Sequence, residues 1–144
     1  MPRSSDQVSD NVELMRATTD AFNAHDLSAC ESRITADFII HLAELQEPLR
    51  GRETWRRNAE IMHRGFPDVM AHIDDIVAAG DKVALRLTFT GTHSGEFLGH
   101  APTGRTVRYV SHEFYRVEDG LIAEEWICAD MATLFQQMSA ARRP

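Results

Sequence analysis

Hydrophobic positions along the chain change period near residue 69. Before that point they recur at helical spacing: Val8, Val12, Met15, Thr19 and Phe22 share one face, which predicts a first helix with Ser5 or Asp6 at its start. The polar run 23–26 breaks it, and Asp26 is placed to cap a short second helix over 27–34. Phe38-Ile39-Ile40 is the apolar centre of a short strand over 37–41. After a loop with Pro48 and Gly51, a third helix is predicted over 53–63, burying Trp55, Ala59 and Met62. Gly65, Pro67 and Asp68 end it.

Beyond residue 69 the period falls to two. A strand over 69–78 and a turn at Ala79-Gly80-Asp81 lead to Val83, Leu85, Leu87 and Phe89, which alternate with more polar neighbours. A Gly/Pro-rich loop follows. A third long strand covers 106–117, Glu118-Asp119-Gly120 turns the chain, and a fourth strand covers 121–129. Asp130 then caps a last helix whose inner face is Met131, Leu134, Phe135 and Met138. Helices segregated from an antiparallel meander, with one short extra strand, predict an α+β fold. The expectation is a single domain over 1–144, with flexible ends at 1–5 and 140–144.

The last hairpin sets which side chains share a face. Read as a three-residue loop with Gly120 at positive φ, the turn places Val117 opposite Leu121, Tyr115 opposite Ala123, Glu113 opposite Glu125 and Ser111 opposite Ile127. One face then carries Tyr109, Ser111, Glu113, Tyr115, Glu125, Ile127 and Ala129. The other carries Arg108, Val110, His112, Phe114, Arg116, Glu124, Trp126 and Cys128. A two-residue turn would instead pair Glu113 with Trp126. Both faces mix polar and large apolar groups, as expected if one lines a pocket and the other meets a second subunit. Phe114, Trp126 and His112 mark that outer face, and an apolar patch of this kind is costly in water.

Composition narrows the partners. The chain has 144 residues, 43% hydrophobic and 26% charged, with a net charge of −7. Such an acidic chain is a poor binder of phosphate backbones, so no nucleic acid is expected. No apolar run approaches the ~20 residues that cross a bilayer, and the first ten residues carry no apolar signal core. These readings predict a cytoplasmic protein with no membrane partner. Cys30 and Cys128 are the two cysteines and read as free thiols.

Glu113 and Glu125 form the sharpest chemical constellation. Two buried carboxyls on neighbouring strands raise each other's proton affinity and suit general acid/base work. The alternative is that both are solvated, or paired with Arg86, Arg105 or Arg108. His41 ends the short strand, where it reads either as a base at the pocket mouth or as a plain surface or core histidine. His93 reads as a loop-holding residue, His100 as exposed, and Asp130 as a helix cap with a pocket-rim acid as its alternative. Trp55, Phe89, Phe114 and Trp126 read most simply as core or interface residues. No Walker loop, dinucleotide glycine fingerprint, H-E-x-x-H or G-x-S-x-G is present. Metal-ligand spacing is also lacking, so neither cofactor nor metal is expected.

Several motifs add a resemblance. Ala21-Phe22-Asn23-Ala24-His25-Asp26 closes the first helix, Gly51-Arg52-Glu53-Thr54-Trp55 opens the third, and Phe66-Pro67-Asp68 follows it. The block G-T-H-S-G-E-F-L-G-H-A-P-T-G at 91–104 comes next, then R-V-E-D-G-L-I-A-E-E-W at 116–126 and D-M-A-T-L-F-Q-Q-M at 130–138. Together they resemble the SnoaL-like polyketide and ester cyclases of the nuclear-transport-factor-2-like superfamily. The resemblance implies a cone-shaped α+β barrel with a deep apolar cavity and, usually, a dimer through the sheet. It also implies ring closure by intramolecular aldol condensation, driven by an aspartate assisted by a histidine. On this chain those two positions fall at Ile127 and Glu113. Ile127 cannot move a proton, so that mechanism does not transfer unchanged.

The combined reading is a small cofactor-independent acid/base enzyme for a hydrophobic, carbonyl-bearing or polyketide-like molecule. Cyclisation, isomerisation or a related addition/elimination is its expected chemistry. Glu113, Glu125 and His41 are the candidate catalytic residues. Tyr109, Ser111, Ile127, Phe89, Leu87 and Trp55 are the candidate substrate contacts. The alternatives are a non-catalytic binder using the same cavity and, in third place, a purely structural dimer.

Overall fold

Four strands were legible in the second half of the chain, but the sheet has six. The computed structural model describes residues 4–139. Its elements run α1 (Ser4–Asn23), α2 (Leu27–Glu31), β1 (Ile34–Leu42), β2 (Leu49–Arg50), α3 (Arg52–Gly65), β3 (Met70–Ala79), β4 (Lys82–Thr92), β5 (Thr106–Glu118), β6 (Leu121–Ala129) and α4 (Met131–Ser139). Sheet order is β2-β1-β6-β5-β4-β3. The predicted meander is β3 to β6, and β1 extends it by running parallel to β6.

The expectations for 1–3 and 140–144 lie outside the described residues. Ser4 and Ser5, assigned to a flexible end, are the first residues of α1, so neither Ser5 nor Asp6 precedes that helix. The second helix stops at Glu31 rather than Ile34. Ser32 closes it with its backbone N–H on the carbonyls of Ser28 and Cys30. Ile34, β-branched and almost fully buried, then pairs with Ile122 and starts β1. Asp26 caps α2 as expected, accepting from the Ala29 N–H.

The last hairpin differs from its predicted register for a specific reason. Asp119 and Gly120 both have positive φ, 51° and 77°, the backbone of a two-residue type I′ turn that pairs Glu118 with Leu121. Arg116 pairs with Glu124 while Val117 pairs with Ile122, which leaves Ala123 as a bulge. The shorter turn slips the register by one, and the bulge slips it by one more. Ser111 therefore lies opposite Ala129, Glu113 opposite Ile127 and Tyr115 opposite Glu125, correcting all the predicted partners. Because the total slip is even, each side chain keeps its predicted face.

Similar irregularities recur between Ile34 and Ile39 and between Ile73 and Asp75. Bulges bend strands, and the sheet wraps a core shared with the helices. One cluster gathers Met15, Phe38, Ile40, Leu85 and Tyr115, and a second gathers Phe66, Phe97, Tyr109, Leu134 and Met138. The loop after β4 is pinned by close backbone approach. The Gly95 N–H donates to the Gly65 carbonyl, and a Cβ at Gly95 would stand 1.8 Å from the Arg64 oxygen. Among the described residues no helix is long and apolar enough to cross a membrane.

Candidate active site

Alternation along β5 is unbroken: Val107, Tyr109, Ser111, Glu113, Tyr115 and Val117 are all buried, and the residues between them face out. Tyr109, Ser111, Glu113 and Tyr115 of this row border a cavity of about 320 Å³ between the sheet and the helices. Phe22, Phe38, Trp55, Phe89, Phe97 and Tyr109 supply its aromatic walls, with Leu85, Leu87 and Ile127 between them. Phe89 and Tyr109 stack at 5.3 Å with 12° between their planes, giving one flat wall. Leu98, held at φ 47° in a tight turn, borders the cavity from the loop side.

Polar groups collect on the cavity floor. Glu113 accepts from the Ser111 hydroxyl at 2.6 Å through Oε2 and from the Tyr115 hydroxyl through Oε1. Glu125 lies across the strand pair from Tyr115 and interacts with the same hydroxyl. Among the described residues no Arg, Lys or His borders the cavity. Neither glutamate is solvated or ion-paired, which settles the arginine alternative: Arg86 instead bonds Asp75, at 2.8 and 3.1 Å.

Burial governs the electrostatics. It raises the Glu113 carboxyl above the usual range, against the two hydroxyl bonds that favour its charge. Glu125 is pushed up further, by burial first and by the Glu113 charge second, with the Tyr115 bond opposing. Of the two, Glu113 therefore gives up its proton first and Glu125 holds its own longer. Burial likewise raises the Tyr109 and Tyr115 phenols, so both stay neutral donors. The Cys30 thiol at the cavity edge is pushed up to about 11, chiefly by burial, and stays protonated.

Glu113, Glu125, Tyr109, Ser111, Ile127, Phe89, Leu87 and Trp55, all named from the sequence, border this one cavity. Tyr109 donates only to the Met62 sulfur, at 3.7 Å, a weak partner that leaves its hydroxyl ready for a stronger acceptor. His41 is placed elsewhere. Phe38, Ile40 and Leu42 take the cavity side of β1, so His41 falls on the opposite face. There its ring stacks on Trp126 at 5.1 Å, and its Nε2 lies 2.6 Å from Glu124. Tyr115 is absent from the candidates named from the sequence, although its position two residues beyond Glu113 on an alternating strand was the available signal.

The remaining candidates are structural. His93 is fully buried, with Nδ1 at 2.9 Å from the Thr103 hydroxyl and its ring against Phe66. His100 is exposed. Asp130 accepts from the Thr133 N–H and hydroxyl, the expected cap, and these bonds lower its pKa. Among the described residues no three His, Cys, Asp or Glu side chains gather as a metal site.

Known proteins share this fold. A family model described as SnoaL-like polyketide cyclase matches residues 12–138. The chain is 35% identical to IdmH of Streptomyces antibioticus, a candidate polyketide cyclase, over 90% of this chain and 99% of that one, with a TM-score of 0.78. It is 28% identical to AclR of Streptomyces galilaeus, a candidate hydroxylase, over 95% and 85% of the two chains, with a TM-score of 0.85. A SnoaL-like protein from Jannaschia sp. CCS1 shares the fold at 21% identity, covering 99% of each chain, with a TM-score of 0.88. No curated protein matches the chain.

Proposed function

The chain belongs to the SnoaL-like polyketide cyclase family, and on that premise we propose that it is a cofactor-independent acid/base enzyme for a hydrophobic, carbonyl-bearing molecule. The observation that carries this reading is the pair of buried carboxyls on the floor of an apolar cavity, with no cation beside them among the described residues. Glu113, held by two hydroxyl donors, is the base that removes a proton next to the substrate carbonyl. Glu125 is the acid that delivers a proton to the developing oxygen or carbon. Tyr109 orients a distant oxygen of the same molecule, and the Phe89–Tyr109 wall holds its rings. Cyclisation, isomerisation and addition/elimination all begin with this proton removal.

Ile127 faces Glu113 across the strand pair, at the position where the family pattern supplies an aspartate. On this reading the acid/base pair is rearranged: Glu113 stands where the family pattern has its histidine, and the partner carboxyl lies at 125 instead of 127. Glu113→Gln tests the assignment. General acid/base groups contribute about 10²–10⁴-fold to rate, and a loss of that size is expected in the turnover of a panel of hydrophobic 1,3-dicarbonyl compounds followed by NMR. Unchanged turnover would remove Glu113 from the reaction. Ile127 favours a second reading, a non-catalytic binder using the same cavity. Binding of panel members without conversion, by wild type and variant alike, would establish it.

The outer sheet face supports pairing with a second copy. Phe114 is 55% exposed and Val110 44%, with Trp126 and His112 beside them. Arg116, Glu118 and Glu124 alternate in sign at one border of that patch, a pattern that can complement itself across a two-fold axis. Sedimentation at micromolar concentration should give a dimer, and a monomer there would refute this.

A further inference from the structure

Glu113 and Glu125 do not face each other. Glu113 lies opposite Ile127, and Glu125 lies opposite Tyr115, so the two carboxyls are diagonal neighbours, a wider separation than a directly opposed pair. The Tyr115 hydroxyl occupies the space between them. It donates to Glu113 and interacts with Glu125. Ser111, the other donor to Glu113, has no bond to Glu125.

We propose that Tyr115 is the relay through which Glu113 and Glu125 exchange a proton, making the cavity floor one three-group unit. The inference rests on the acid and base roles given above. In the forward step Glu113 takes a proton from substrate carbon, and Glu125 gives its own proton to the substrate. Glu113 is then un-ionised and Glu125 ionised. Tyr115 restores the start by passing its hydroxyl proton to Glu125 and taking the proton of Glu113. Both transfers run the same way, Glu113 to Tyr115 and Tyr115 to Glu125, so one proton is moved in net, and no water or external base takes part. A hydroxyl suits this role because it donates and accepts at once.

The surroundings isolate the unit. From α1, β1, α3 and β4 the floor meets Met15, Ile40, Trp55 and Leu85, none of them titratable. The other titratable groups on the cavity are Cys30 from α2, Glu44 from the β1–β2 connection and Tyr109 from β5. Tyr115 therefore acts through the two carboxyls, as a positioning residue.

The test needs no substrate. The protein is labelled with ¹³C at glutamate Cδ and tyrosine Cζ and titrated by NMR. The Tyr115 signal should move at both the Glu113 and the Glu125 midpoints. In Tyr115→Phe the Glu125 midpoint should rise by about one pH unit, a tenfold gain in proton affinity, while the direct effect of the Glu113 charge on Glu125 persists. Ser111→Ala should move the Glu113 midpoint and leave the exchange intact. A Glu125 midpoint that is the same in wild type and Tyr115→Phe overturns the relay. Should that variant fail to fold, a wild-type Tyr115 signal that ignores the Glu125 midpoint overturns it equally. Intact coupling combined with unchanged turnover in Glu113→Gln would instead reject the acid/base assignment and leave the proton exchange standing.

Discussion

Glu124 and Glu125 are adjacent on β6 and point to opposite faces of the sheet. On the outer face Glu124 accepts from Arg116 at 3.0 Å and contacts His41 at 2.6 Å. Partial burial works against its charge, but the His41 and Arg116 bonds outweigh it, and its pKa falls. On the inner face Glu125 has no cation, and burial drives its pKa well up. The same side chain thus becomes a fixed charge on one face and a held proton on the other. What separates them is one step of strand alternation, and that parity survives only because the Ala123 bulge compensates the short turn.

The largest break of this comparison comes from the aromatic neighbours Phe114 and Tyr115. Tyr115 is 9% exposed and Phe114 55%. Tyr115→Ala removes a buried ring and strips a donor from Glu113, and should cost about 3–5 kcal/mol in chemical unfolding. Phe114→Ala should shift stability by no more than about 0.5 kcal/mol per protomer, while weakening any dimer in sedimentation. Equal costs at the two positions would mean that the faces are not distinct.

A smaller effect separates the two glutamates by pH. Glu125 binds its proton more tightly folded than unfolded, so its contribution is complete below the ordinary glutamate range and is lost as pH rises through its folded value. Glu125→Gln keeps a neutral group there and should be the more stable protein at alkaline pH, by on the order of 1 kcal/mol. Glu124 has the opposite sign: its contribution is present above the ordinary range and lost as pH falls through its lowered value. Glu124→Gln should therefore cost up to about 1 kcal/mol at neutral pH and nothing in acid. Thermal unfolding across pH checks both, and parallel pH profiles for the two variants would refute the contrast.

These contrasts mark how far the sequence could be read. Alternation in 107–117 assigned each side chain of β5 to its face, because a strand buried on one side has a strict period of two. The bulge was invisible: Ala123 is small, and Ile122 beside it is also buried, so nothing in Leu121-Ile122-Ala123 marks an extra residue. Asp119-Gly120 was a two-residue turn signal that the preceding Glu118 made look like three. The face of His41 was hard to read because Phe38-Ile39-Ile40 is apolar throughout, and a continuous apolar run gives no parity. Pairing between β1 and β6 joins residues some 85 positions apart, as His41 does with Trp126, and local pattern carries no record of it. Tyr115 was on the predicted face but was given no role there, since a phenol becomes part of a proton path only when two carboxyls flank it.

His41→Ala should have the smallest effect and is the sharpest check on which face does the chemistry. His41 is a third exposed, stacked on Trp126 and bonded to Glu124. A contact this open to solvent is worth up to about 1 kcal/mol, so a small loss of stability and a change in Trp126 fluorescence are expected. Turnover should not change, because Phe38, Ile40 and the sheet backbone stand between His41 and the cavity. If His41→Ala instead lowers turnover as far as Glu113→Gln does while Trp126 fluorescence stays the same, the outer face shares in the chemistry and the division between faces fails. A drop in turnover that tracks dimer loss in sedimentation would have a different meaning. The outer face would then act by holding two copies together, and the carboxyl floor would keep its role.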